Sequence, residues 1–215
     1  MGPYEWYQNY QSLRPLLSVE SLMATTQQHQ LHAHQGIHPT TGQPSKGPWF
    51  PSYDVCRVLI LGCGNSTMGE EMLGDGWRGE IVNVDFSSVV IEQMKNKYDD
   101  HFYSQFGGHC PNRMTFLCAD VTDPLPFPDQ SFDLIICKGT LDAILCSSGS
   151  VAKAKNTIRE CVRLLAYGHG ALFLVSYGNP DSRVLYLEGP DHDLSFYWQE
   201  VSTHVLGRHS SSGPK

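Results

Sequence analysis

Between Asp54 and Gly178 the chain repeats one alternation: a short apolar run, a turn, then a helical segment. The runs are CRVLILG (56–62), GEIVNVDF (79–86), MTFLCAD (114–120), FDLIICKG (132–139) and GALFLVSYG (170–178). Four of them are almost unbrokenly apolar, as strands buried on both faces must be. Strands alternating with helices over short links give a parallel sheet, and right-handed crossovers then place helices on both of its faces. The expected fold is therefore α/β: a doubly wound, mostly parallel, Rossmann-like sheet. The intervening helices are expected over about 66–73, 87–100 with Ser87 or Ser88 as N-cap, 151–166 with Gly168 as C-cap, and 179–188. A helix over about 8–17 precedes them and Pro15 threatens to end it early. A strand over 196–206 closes the domain.

In such a sheet ligands bind beyond the carboxyl ends of the strands, where the strand order reverses. The first strand ends there in Gly62-Cys63-Gly64-Asn65-Ser66. Gly62 and Gly64 can adopt backbone angles closed to other residues and leave room for a ligand against the main chain. The following helix turns free N–H groups toward the same place. Asp85 ends the second strand, where a carboxylate can accept both hydroxyl hydrogens of a ribose. Asp120 ends the third, placed with Val121 to hold an adenine ring. Either acid could be a plain turn or capping residue. Two of them on adjacent strand ends beside a glycine turn point to an adenosine-containing ligand. A nicotinamide dinucleotide wants a third glycine where Thr67 stands, and the GxxxxGK[ST] loop of nucleoside triphosphate sites is absent. S-adenosylmethionine remains as the common choice.

The stretches VLILGCGNS, NVDFSSVVIEQM, FLCADVTD followed by LPFPDQSFDLII, and CKGTLDAIL, in that order, resemble the class I S-adenosylmethionine-dependent methyltransferases. The resemblance is to the methyltransferase-like branch that contains the elongation factor 1-alpha lysine methyltransferases. PYEWYQNYQSLRPLL and VSYGNPDSRVLYLE fit the same branch, so the resemblance covers residues 3–17 and 54–206. It implies that Gly62 lies under the methionine part of the cofactor, that Asp85 binds the ribose and Phe86 packs on the adenine, and that Asp120 and Val121 flank the base. It implies further that Lys138 faces the cofactor carboxylate and that Trp6 folds over the cofactor as a lid. Relatives are expected to carry a Y-W-x-x-R-Y segment ahead of YEWY and a last antiparallel strand beside the fifth. Neither is expected here.

The implied function is a protein-lysine N-methyltransferase acting on an elongation factor 1-alpha-like protein. A small-molecule methyltransferase and a catalytically silent binding module are the alternatives. No NPPY-type tetrapeptide follows the fourth strand, which makes flat amide or base nitrogens poorer acceptors. No general base stands out, so the catalytic residues are left unassigned. Asp142 in KGTLDAIL could orient an acceptor amine or cap the next helix, and the cap is the preferred reading.

Four domains of composition follow from this: an N-terminal lid and helix over 1–17, a flexible low-complexity insertion over 18–53, the cofactor-binding domain over 54–206, and a frayed tail over 207–215. The insertion carries His29, His32, His34 and His38. No cysteine or carboxylate joins them at ligand spacing, so they are read as solvated and no metal is expected. The seven cysteines form no CxxC pair, which suits reduced thiols and a cytoplasmic protein. Cys63, Cys118 and Cys137 fall in segments read as buried, and Cys63 is read as packing, not as a nucleophile. A net charge of −7 argues against nucleic acid as a partner and is compatible with a basic protein. The longest apolar runs are too short to span a membrane, and the N-terminus has no secretory signal.

Overall fold

The computed structural model describes residues 7–18, 21–22, 51–98, 102, 114–188, 198 and 200–206. Trp6, the histidine-rich stretch and the expected tail lie outside them. Among the described residues five strands form one parallel sheet: β1 (Val58–Leu61), β2 (Ile81–Asp85), β3 (Thr115–Cys118), β4 (Leu134–Lys138) and β5 (Ala171–Val175), in the order β3-β2-β1-β4-β5. The expected doubly wound sheet is what forms. β1 and β2 are buried along their whole length and β4 all but its last residue, which explains their unbroken apolar sequences. β3 sits at one edge and shows it, with Thr115 and Cys118 exposed. Cys118 was expected in a buried segment, but an edge strand leaves its last residue open.

Side chains alternate across each strand. Val58, Ile60, Ile81, Leu134 and Ile136 point to one face. They pack there against α1 (Tyr10–Leu17), α2 (Met68–Gly74) and α3 (Ser88–Lys97). Leu59, Leu61, Val82, Val84, Ile135 and Cys137 point to the other. That face is covered by α4 (Thr140–Leu145) and α5 (Ser150–Leu164), with Tyr186 of α6 (Pro180–Glu188) against its margin. Each fully buried Leu or Ile stabilises by roughly 1.5–3 kcal/mol.

Pro15 does not end α1. The helix runs on to Leu17 because Tyr10, Leu13 and Leu17, on one stripe, are all nearly fully buried. Asn9 caps it, accepting from the Ser12 amide at 3.1 Å. Ser87 caps α3 as expected, accepting from the Val90 amide. Gly168 is not the cap of α5. The helix stops at Leu164, Leu165 becomes extended to bridge Phe132, and Gly168 with φ +85° sits in the turn that follows. A further helix, α4, follows β4 directly, where no helix is expected from the sequence. The strand expected over 196–206 is not found at its described residues. Trp198 and residues 200–206 carry no strand, and 201–206 are exposed without a ladder partner; a strand needs a hydrogen-bonded neighbour to persist.

Candidate functional site

The carboxyl ends of the strands are in register. Leu61 pairs with Val84 on one side and Cys137 on the other, Asp85 pairs with Cys118, and Lys138 pairs with Val175. One step beyond Leu61, Gly62 is therefore level with Asp85 and Lys138. The row Cys118, Asp85, Gly62, Lys138, Val175 crosses the whole sheet at one height. Asp85 ends β2 as expected. Asp120 does not end β3: it lies two residues past Cys118, already in the loop.

Gly62 and Gly64 have φ +59° and +52°, the left-handed region that favours glycine. Their surroundings differ. A Cβ on Gly62 would collide with the Thr140 side chain, whose hydroxyl donates to the Leu61 carbonyl at 2.7 Å. Gly62 is bare because the β4–α4 turn presses on it. A Cβ on Gly64 would meet nothing within 4 Å. The open ledge of the turn is thus at Gly64.

Asp85 is only 7% exposed and fixed from both sides. One carboxylate oxygen accepts from the Gly64 amide at 2.9 Å and the other from the Ser87 amide at 2.9 Å. Each oxygen retains a further lone-pair direction. The acid is thereby held at the lip of the glycine ledge in a single orientation, able to receive two hydroxyl hydrogens. Phe86 follows it and is 78% exposed. Val89, one turn on, is also exposed, so an apolar surface stands in solvent beside the carboxylate. Asp120 accepts from the Thr122 amide at 2.9 Å and its hydroxyl at 2.8 Å. Those two bonds, with Lys153 nearby, hold its carboxyl below the usual range despite slight burial. Val121 is buried in the second core and can offer a ligand little more than an edge.

Cys63 is buried between the two glycines. Burial first, and then the Asp85 charge, push its thiol up to about 12, so it stays protonated and packs. Its amide donates to Val84. The six described cysteines are free thiols.

Asp142 overturns the preferred expectation. The N-cap of α4 is Gly139, with φ +75° and no side-chain cap bond. Asp142 instead reaches across to the end of β5. It accepts from the Ser176 hydroxyl at 2.6 Å, the Tyr177 amide at 3.0 Å and the Arg183 guanidinium at 2.8 Å. Tyr7 hydrogen-bonds to the same carboxylate and stacks on Tyr177, with ring centroids 5.9 Å apart. Sequence reasoning missed Tyr7, Thr140, Ser176, Tyr177 and Arg183. Their partners lie far away along the chain, and only the strand-end position of SYGNPDSR hints at them.

A cleft of about 430 Å³ lined by Tyr10, Arg14, Pro15, Ser18, Tyr53 and Asp75 opens at the amino end of the sheet, away from this row. None of the cofactor-binding candidates named in the sequence analysis lines it. No described helix is long and apolar enough to cross a membrane.

Residues 53–180 match the family model described as a methyltransferase domain. Over 110 residues the chain is 41% identical to a protein of Mus musculus named eEF1A lysine and N-terminal methyltransferase, covering 51% of this chain and 14% of that one. Over 202 residues it is 29% identical to EEF1A lysine methyltransferase 4 of Mus musculus, covering 90% of this chain and 62% of that one. The chain thus spans 14% of the length of the first of these relatives and 62% of the second. A crystal structure of a SAM-dependent methyltransferase from Methanosarcina mazei aligns with 69% of this chain and 64% of its own at TM-score 0.47 and 21% identity.

Proposed function

Because this chain belongs to the S-adenosylmethionine-dependent methyltransferase family, whose domain it matches over residues 53–180, we propose that it is a protein-lysine N-methyltransferase acting on an elongation factor 1-alpha-like protein. The observation that carries the cofactor assignment to particular residues is the fixed Asp85 beside the open Gly64 ledge. The names of the relatives, both lysine methyltransferases of eEF1A, support the substrate class.

The residues fit the cofactor. Asp85 has its lone pairs directed by two backbone amides and would receive the ribose hydroxyls. Phe86, exposed next to it, would lie on the adenine, and Asp120 with Val121 would border the base. Gly62 would lie under the methionine part, and Gly64, open on its side, would let that part run along the main chain. Lys138, in the same row, would place its ammonium toward the carboxylate. Trp6, next to Tyr7 in the chain, would cover the whole as a lid. When bound, S-adenosylmethionine supplies a methyl group already activated on a sulfonium, so little chemistry is left to side chains. The protein's share is to hold the acceptor nitrogen in line and to exclude water. A lysine acceptor must also arrive without its proton, and a drier pocket lowers its pKa from about 10.4.

Transfer of tritium-labelled methyl from the cofactor to proteins of a lysate, with the labelled residue identified by mass spectrometry, tests the reading. Label on lysine in a protein is the expected result. Label confined to small molecules would replace it with a metabolite methyltransferase. Binding of S-adenosylhomocysteine with no transfer at all would replace it with a silent binding module.

A further inference from the structure

Tyr7 is one of two described non-glycine residues with positive φ, at +66°. A non-glycine residue in the left-handed region costs roughly 1–2 kcal/mol and persists only where its surroundings dictate it. Contacts with Tyr177 and Asp142 help to dictate it here. The ring stacks on Tyr177, and the hydroxyl bonds to Asp142. Asp142 is itself pinned by Ser176, the Tyr177 amide and Arg183. Arg183 also donates to Ser176 at 2.7 Å, which closes the ring of contacts. Three segments remote in sequence are therefore locked together by one carboxylate.

The place matters as much as the lock. Asp142 lies in the first turn of α4, just after Lys138, and Ser176 and Tyr177 directly follow Val175. Lys138 and Val175 are the last two members of the level row. The cluster thus stands over the β4–β5 end, while Asp85 and Asp120 stand over the β2–β3 end. A cofactor with its adenosine over β2–β3 and its methionine part over β1–β4 leaves the β4–β5 side for the acceptor. Tyr177 is 72% exposed, so an incoming chain can reach the cluster.

Resting on the reading that the acceptor is an amine, we propose that Tyr7 is the residue that receives the acceptor: its hydroxyl proton is committed to Asp142, and its oxygen accepts an N–H of a neutral primary amine and so aims the nitrogen lone pair. A phenol whose proton is engaged can present only lone pairs to a newcomer. It therefore selects a nitrogen that still has a hydrogen to donate. Burial first, and then the Asp142 charge and hydrogen bond, raise the Tyr7 hydroxyl above its ordinary value. The phenol stays neutral at working pH and accepts without adding a charge. Asp142 acts through Tyr7 and is a positioning residue.

Tyr7→Phe tests this, because it keeps the ring and its stacking and removes only the hydroxyl. The full chain, saturated with S-adenosylhomocysteine, is titrated by NMR with N-acetyl-lysine methylamide, and with the norleucine analogue that lacks the amine. Thermal unfolding and S-adenosylhomocysteine affinity are followed in parallel. The expected result is probe binding weakened at least 5-fold in Tyr7→Phe, norleucine binding and cofactor-product affinity unchanged, and the melting temperature lowered by no more than about 5 °C, the scale of one lost hydrogen bond. In the labelled-transfer assay kcat should fall roughly 10- to 100-fold, the scale of leaving one hydrogen-bond partner unsatisfied. Equal probe binding by both proteins, or no preference of the parent protein for lysine over norleucine, overturns the proposal. Failure of the lysine assignment is separate: it is read from where the label goes in the parent protein.

Discussion

Two glycines two residues apart in the same turn carry different loads. Gly62 is left-handed and crowded by Thr140, whereas Gly64 is left-handed and faces open space. Gly62→Ala combines left-handed strain of roughly 1–2 kcal/mol with overpacking of roughly 1–3 kcal/mol, and should lower stability by about 2–5 kcal/mol in denaturant unfolding. Gly64→Ala should cost only the strain, about 1–2 kcal/mol, yet weaken S-adenosylhomocysteine binding at least 10-fold, since its new methyl group projects onto the ledge. Calorimetry beside urea titration separates the two. If both variants lose stability equally and Gly64→Ala binds normally, the ledge is misplaced. Neither glycine's neighbour is visible in the sequence. GCG announces a sharp turn, but that Thr140 fills one side of it depends on a contact across the sheet. The same holds for Asp142, whose partners at 176, 177 and 183 make it a cross-brace instead of a cap.

At the scale of elements, what was legible were the strands. Their apolar runs are long enough, and buried enough on both faces, that only one placement serves them, and the parallel order follows from the alternation. Their ends were less legible, because the last residues of a strand read the same whether or not they pair. Asp120 was placed on β3 for that reason. The amino end of the sheet offers a pH test. Asp133 is buried just before β4 and accepts from the Arg57 amide at 2.8 Å and from His169 at 2.8 Å. Burial alone would raise its carboxyl, but the His169 and Arg57 hydrogen bonds and the two nearby charges outweigh it and hold it below the usual range. A depressed carboxyl contributes stability that is fully present above the unfolded value of about 3.9 and is lost as pH falls through the folded value. Stability followed by circular dichroism should therefore fall below about pH 4. Asp133→Asn should be less stable at pH 7 by roughly 1–3 kcal/mol and should lose that part of the acid slope. An unchanged slope would show that the brace carries no linkage. A second brace joins the 122–131 loop to α5: Arg163 donates to the Phe127 and Leu125 carbonyls and pairs with Asp129 and Glu160. Arg163→Ala should loosen that loop and raise amide exchange at Leu125, whose N–H is held by Glu160 at 2.7 Å; unchanged protection would contradict it.

For the whole molecule, the sheet divides its carboxyl edge into two working halves. Over β2 and β3 stand an oriented acid, an exposed aromatic and a second acid. Over β4 and β5 stand a lysine and a carboxylate-centred lock that reaches back to the N-terminal segment. The first half is the one proposed for the adenosine. The second half was the less legible, since its residues come from three regions and only folding brings them together. Both halves depend on one statement: the row through Asp85, Gly62 and Lys138 holds an adenosyl cofactor. The most direct measurement is isothermal calorimetry of S-adenosylhomocysteine against the full chain and against Asp85→Ala. The account predicts one site per chain in the parent protein and affinity lowered at least 100-fold in Asp85→Ala at unchanged helical content, consistent with two lost hydrogen bonds to a charged group at about 1.5–3 kcal/mol each. Binding that survives the substitution intact, or its absence from the folded parent protein, would contradict it.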